Sequence, residues 1–128
     1  MTMADASATQ ERSAEALVGR LFEASLGMMD VMSVYVGDRL GLYRALRDGG
    51  PSTAAELAAR AGIDARYARE WLEQQATTDL LDVDDVGAPA DRRRYRLPEA
   101  YAAPLLDLDS ALSIAPMARV SSPAGRPS

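Results

Sequence analysis

The stretch from Met28 to Leu46 constrains the chain more than any other, because it is mostly apolar and yet poorly suited to a membrane. Asp30, Asp38, Arg39 and Arg44 interrupt it, with Gly37 and Gly41 at its middle, so burial in lipid would be costly. Read as a helix, it carries two apolar stripes. One passes through Met28, Met32, Tyr35, Leu42 and Leu46, the other through Met29, Val36, Leu40 and Tyr43. Two apolar faces need two partners. In a chain of 128 residues one partner is the domain's own core, and the second is expected to be another subunit. Asp48-Gly49-Gly50-Pro51 supplies the Gly-then-Pro stop expected after a helix.

Upstream, residues 1–9 are small and polar and read as a disordered leader. From about Gln10 the residues Ala14, Leu17, Val18, Leu21, Phe22 and Leu26 recur at spacings of three and four, predicting an amphipathic helix with that row as its inner face. Gly27 is the expected break before the next segment.

Downstream, Thr53 and Glu56 form a capping box for a helix over Ala54 to Ala61. Gly62 can adopt the left-handed conformation that ends it. Asp64 can then cap a second helix with Ala68, Trp71, Leu72 and Gln75 on one side. Leu57, Ala58, Gly62 and Ile63 place small or apolar residues where the two helices must cross, so the pair reads as a helix-turn-helix. Leu80–Val83 and Arg94–Leu97 alternate as strands, with Leu81 and Val83 on one face and Tyr95 and Leu97 on the other strand's matching face. The turn-rich DDVGAPADRR between them predicts a long-tipped hairpin, and a hairpin directly after a helix-turn-helix is a winged helix. Pro98-Glu99 opens a short helix through Tyr101, expected to stop near Pro104. Asp109-Ser110 could cap another through Leu112, Ile114 and Met117. Residues 119–128 carry two prolines and no periodicity and read as a disordered tail. The expected organisation is one mainly α domain over residues 10–118, a winged helix-turn-helix with N-terminal dimerisation helices and one small β-hairpin.

Composition removes most catalytic chemistry. Without cysteine or histidine the chain has no disulfide, none of the usual zinc sites, no haem ligation by either residue and no triad based on imidazole. Asp82, Asp84, Asp85 and Asp91 are the main acidic cluster, but Val86 and Arg93 fall where an EF-hand needs its fifth and twelfth ligands, so a solvated hairpin tip is expected. Neither a G-x-x-x-x-G-K nor a G-x-G-x-x-G loop occurs. No catalytic, cofactor-binding or metal residue is assigned. Met28, Met29 and Met32 are expected to pack in a core or interface, and Trp71 to anchor the core with its indole N–H on a nearby acceptor. The first fifteen residues contain no apolar run, so no secretory signal is read and cytoplasmic residence is the default expectation.

A winged helix can read DNA, and Arg66 and Arg69 on the second helix with Arg92, Arg93 and Arg94 on the wing are the residues that would do it. The balance opposes this. Nineteen acidic groups stand against fourteen basic ones, all arginine, for a net charge of −5. Asp64, Glu70, Glu73 and Asp79 outnumber the two arginines of the expected reading helix, while the four aspartates of the hairpin cancel its arginines. The Arg-only usage fits biased codons in a GC-rich genome. DNA binding by a small transcriptional regulator is therefore the alternative reading.

The blocks SVYVGDRLGLYRALRDGGPSTAAELAARAG, ARYAREWLEQQATTDLLDVD and RRYRLPEAYAAPLLD resemble the amino-terminal winged-helix domain of bacterial S-adenosylmethionine-dependent methyltransferases, over about residues 15 to 118. The resemblance implies dimerisation, a cover over the substrate pocket, and a following Rossmann-like domain that holds S-adenosylmethionine. It places Met29, Val36, Leu40 and Tyr43 in the intersubunit helix and implies no catalytic residue here. The family's glycine-rich cofactor loop is not found before Ser128, and RVSSPAGRPS departs from the family's continuation. A truncated, frameshifted or split product, with a second copy or a separate catalytic domain as partner, is the resulting expectation.

Overall fold

The computed structural model describes residues 12–107. They form α1 (Ala14–Arg39), α2 (Leu42–Gly49), α3 (Ala54–Ala61), α4 (Ala65–Thr77), β1 (Asp82–Val83), β2 (Tyr95–Arg96), a single 3-10 turn (Glu99–Tyr101) and α5 (Ala102–Leu106). The architecture is mainly helical with one small antiparallel hairpin. The expected leader, the cap at Asp109-Ser110, the tail and the end of the 10–118 domain lie outside the described residues.

Two helix boundaries in the first half of the chain differ from the sequence reading. Gly27 ends nothing, and α1 runs straight through it. An isolated glycine costs a helix about 1 kcal/mol relative to alanine but removes no hydrogen bond. The break falls at Gly41, whose φ of 69° takes the chain into the left-handed region. Leu40 N–H still donates to the Val36 carbonyl at 3.0 Å and Gly41 N–H to that of Asp38 at 3.2 Å, after which Ala45 N–H donates to the Gly41 carbonyl to start α2. The segment Met28 to Leu46 is thus parts of two helices, and its second stripe is divided between them.

The chain divides into two units, Met1–Val31 and Met32–Ser128. The described part of the first is the N-terminal stretch of α1. Its start is held by the Ser13 hydroxyl, which accepts from the Ala16 N–H at 3.1 Å. Its side chains are exposed apart from the half-buried Asp30.

The second unit holds the core. Val34 of α1, Leu42, Tyr43 and Leu46 of α2, Leu57 of α3, Trp71 and Leu72 of α4, Leu81, Tyr95 and Leu97 of the wing, and Leu105 of α5 form one buried cluster. Both predicted caps are made. The Thr53 hydroxyl accepts from the Glu56 N–H at 3.2 Å, and the Asp64 carboxylate accepts from the N–H groups of Arg66 and Tyr67 at 2.9 and 3.1 Å. Gly62, at φ 69°, turns α3 into α4. Trp71 is the core anchor expected of it, its indole N–H donating to the Ser33 carbonyl at 3.0 Å. Its ring meets that of Tyr43 edge to face, with centroids 5.1 Å apart. The Tyr43 hydroxyl donates to the side-chain carbonyl of the buried Gln75. Gly37 is where α1 closes on this pair: a Cβ there would stand 2.5 Å from the Tyr43 ring and 2.6 Å from that of Trp71.

The wing pairs Asp82 with Arg96 and Val83 with Tyr95. Ser52 adds a third short bridge, exchanging two backbone hydrogen bonds with Tyr95 at 3.0 and 2.9 Å. Its buried hydroxyl donates to the Gly50 carbonyl at 2.7 Å and accepts from Arg60 at 2.8 Å, so the loop before α3 is clipped to the sheet. Pro104 does not stop the last helix but lies inside α5, in the first turn, where its missing N–H has no helical partner to lose.

Candidate functional site

The distinctive surface of the described residues is apolar. Leu17, Val18, Leu21, Phe22, Leu26, Met28, Met29, Val31 and Met32 of α1 all stand in solvent, as does Leu40 just after it; Phe22 is 64 % and Met29 59 % exposed. At 3.6 residues per turn most of them share one broad face of the helix. Val34 and Gly37, the positions of α1 that enter the core, fall outside that face. The row from Leu17 to Leu26, expected to be an inner face, is therefore left uncovered by the described residues.

The four expected interface residues are not brought together. Met29 and Leu40 lie on the exposed face and Val36 is half-buried. Tyr43 is a correction: it is completely buried in the chain's own core, on the far side of the Gly41 break. Burial, and secondarily the Asp38 carboxylate, push its phenol well above the ordinary value. Sequence reasoning missed Leu17, Val18, Leu21 and Phe22 as surface groups, because an inner face and an intersubunit face carry the same period. Only the excess of apolar residues over what so small a body can cover could have signalled them.

Several hollows lie among the described residues of the second unit, one of them, of about 360 Å³, beside Arg39, Gly41, Arg44 and Leu106. A groove of about 250 Å³ is lined by Met32, Ser33 and Val36 of α1 and Tyr67, Glu70, Trp71 and Gln74 of α4. Its lining is mostly apolar, with Ser33, Glu70 and Gln74 as the polar members. A cleft of about 390 Å³ runs between α4 and the wing beside Glu73, Arg93 and Tyr95, but its charged groups are engaged within the chain. Glu73 pairs with Arg69 at 2.9 Å, and Arg93 Nε–H donates to the Ala88 carbonyl at 2.9 Å. Burial, then Glu73, raise the Tyr95 phenol above its usual range.

The residues of the DNA alternative are also largely engaged. Arg66 pairs with Glu70 at 3.4 Å and Arg69 with Glu73, each one turn along α4. Arg94 pairs with Glu56 at 3.1 Å, and the neighbouring Arg96 with Asp82 at 2.9 Å. Arg92 is exposed at the wing tip. The tip carboxylates serve the backbone: Asp84 accepts from Arg94 N–H at 3.0 Å and Asp85 from Gly87 N–H at 2.9 Å. Among the described residues no group of three or more acidic side chains could hold a metal ion, and no helix is long and apolar enough to cross a membrane.

Comparison with known proteins places this geometry. A family model described as an Rv2258c-like winged HTH domain matches residues 24–106. No curated protein sequence matches the chain. Among solved structures, human N-acetylserotonin methyltransferase in complex with SAM superposes with a TM-score of 0.64 at 23 % identity, over 84 % of this chain and 30 % of that one, a likeness of fold alone. PigF with SAH gives 0.62 at 25 % identity, over 84 % and 28 %. The N,N-8-amino-8-demethyl-D-riboflavin dimethyltransferase RosA from Streptomyces davawensis gives 0.52 at 30 % identity, over 69 % and 23 %. The chain thus spans less than a third of the length of each. The chain belongs to the Rv2258c-like winged HTH domain family, whose fold is that of the N-terminal region of S-adenosylmethionine-dependent methyltransferases.

Proposed function

We propose that this chain is the winged-helix domain of an S-adenosylmethionine-dependent methyltransferase, pairing two copies through the exposed face of α1 and covering the substrate pocket of a catalytic domain. The exposed apolar face carries the reading. Half-exposed side chains of this size leave on the order of 1,000 Å² of apolar surface in water, beyond the few hundred Å² that a soluble monomer ordinarily shows. A standard interface buries about 800 Å² on each partner, so the face is large enough to make one by itself. Burial of that face would drive pairing, and only what remains after the roughly 4–15 kcal/mol that association costs in lost freedom appears as affinity. The methyl donor is the business of the catalytic domain, and none of residues 12–107 is assigned to it.

A DNA reader needs a net positive face, and the carboxylates that pair with Arg66, Arg69 and Arg94 weaken any such face here. Sedimentation equilibrium tests the proposal. The chain should sediment at twice its 13.7 kDa at micromolar concentration, and Leu40→Asp or Leu21→Asp should return it to the monomer. A monomer at high micromolar concentration would remove the reading.

A further inference from the structure

The cleft between α4 and the wing joins a cation that lacks a counter-charge to an apolar wall that stands in water. We propose that it binds a small carboxylic acid with an apolar body, the carboxylate on Arg93 and the body against Ala76, Val83 and Val86. The inference does not depend on how chains pair.

Arg93 carries the argument. Among the described residues Arg47, Arg66, Arg69, Arg94 and Arg96 pair with carboxylates, whereas Arg93 does not. It is half-buried, it lines the cleft, and its Nε–H donates to the Ala88 carbonyl at 2.9 Å. A neutral carbonyl holds the guanidinium in place and leaves its charge uncompensated. Drawing a charge out of water is costly until an opposite charge meets it. With Nε taken up, the two terminal nitrogens remain for an anion, and their planar spacing matches the two oxygens of a carboxylate. The Tyr95 hydroxyl is a second polar group beside them. Burial first, then Glu73, hold that phenol up, while Arg93 and then Arg69 pull it down. Glu73 is the one carboxylate lining the cleft, and its pairing with Arg69 at 2.9 Å weakens its repulsion of an anion.

The opposite wall is apolar. Ala76 and Val83 pack on the core, and Val86 is 75 % exposed, more than any other large apolar side chain among the described residues. A phosphate of a nucleic acid could meet Arg93 but would leave Val86 in water, whereas an apolar body attached to the carboxylate covers it. Val83 and Tyr95 are cross-strand partners, so the site is built on the ladder of the wing. Its volume, about 390 Å³, lies within the roughly 300–1,000 Å³ of small-molecule sites.

The full chain, labelled with nitrogen-15, is titrated with phenylacetate and followed by two-dimensional nuclear magnetic resonance. The expected result is saturable shifts of the Arg93 Nε–H and of the Ala76 and Val86 amides, with a Kd on the order of 1 mM, as suits a ligand of about ten heavy atoms. Arg93→Gln should weaken binding about tenfold or more. Should that variant fold poorly, Val86→Asp carries the same test from an exposed position, by setting a negative charge where the body would lie. Inorganic phosphate has the charge without the body and 2-phenylethanol the body without the charge, so each should bind about tenfold more weakly or worse. No saturable shift at about ten times the expected Kd, or undiminished binding by Arg93→Gln or Val86→Asp, would overturn the site. Phosphate binding as tightly as phenylacetate would overturn the apolar wall as a recognition element, and 2-phenylethanol doing so would overturn the role of Arg93.

Discussion

Replacing Gly37 with alanine sets two opposed effects against each other, and the structure decides between them. Alanine is worth about 1 kcal/mol over glycine in a helix interior, so propensity alone predicts a stabilised protein. The added methyl, however, would lie 2.5 Å from Cε2 of Tyr43 and 2.6 Å from Cζ2 of Trp71. Neither ring can simply step aside. Tyr43 is held to Gln75 through its hydroxyl and Trp71 to the Ser33 carbonyl through its indole N–H, and both sit in the core. Overpacking of this kind costs about 1–3 kcal/mol, and losing one of the two buried hydrogen bonds costs about 1–3 kcal/mol more. The net expectation is a loss of about 1–5 kcal/mol, or at least roughly 4 °C in melting temperature for a domain of this size. Gly27→Ala is the control, since a Cβ there meets nothing within 4 Å. It should gain about 0.4–1 kcal/mol. Urea unfolding followed by Trp71 fluorescence and by circular dichroism, at one protein concentration, measures both. If Gly37→Ala proves as stable as Gly27→Ala, the close approach of α1 to the Tyr43–Trp71 pair is wrong.

Tyr43 and Tyr95 both have phenols raised above their usual value, first by burial, so the stability they protect is complete below about pH 10 and is lost as pH rises through the raised values. Tyr43→Phe should flatten that alkaline loss while lowering stability at neutral pH by about 1–3 kcal/mol, because the Gln75 carbonyl is left buried without its donor; an unchanged slope in pH-dependent urea midpoints would contradict the assignment. Asp64→Ala removes the cap that receives two N–H groups and should cost about 0.5–2 kcal/mol with the fold retained, read from the same melts. Gel retardation with duplex DNA should show no complex even at low salt, since Arg66, Arg69 and Arg94 are already paired; a shifted band that fades steeply as salt rises would favour the regulator reading.

Much of the fold was legible because local rules and tertiary structure agree along its second half. Thr53, Gly62 and Asp64 are punctuation marks whose chemistry acts within a few residues, and each does what its spacing implies. Leu81, Tyr95 and Leu97 alternate into the core as a half-buried hairpin requires. The failures lie where the deciding interaction is not local. Gly27 and Gly41 look alike in sequence, but only Gly41 turns left-handed, so that α2 can bring Leu42, Tyr43 and Leu46 into the core. Tyr43 shared a helical period with Leu40 on paper, and the turn between them sent the two side chains to opposite fates. The row from Leu17 to Leu26 has the periodicity of a buried face. Period alone does not say whether the cover comes from the same chain or another one.

The central claim is that this row is buried by a second copy. Isotope-filtered nuclear Overhauser spectra on a mixed sample, one half labelled at methionine methyl groups and the other unlabelled, address it directly. Pairing through α1 predicts intermolecular contacts from the methyls of Met28, Met29 and Met32 to leucine, valine and phenylalanine protons of α1 in the other chain. Methionine methyls that report only contacts within their own chain, at concentrations where pairing should be complete, would contradict it.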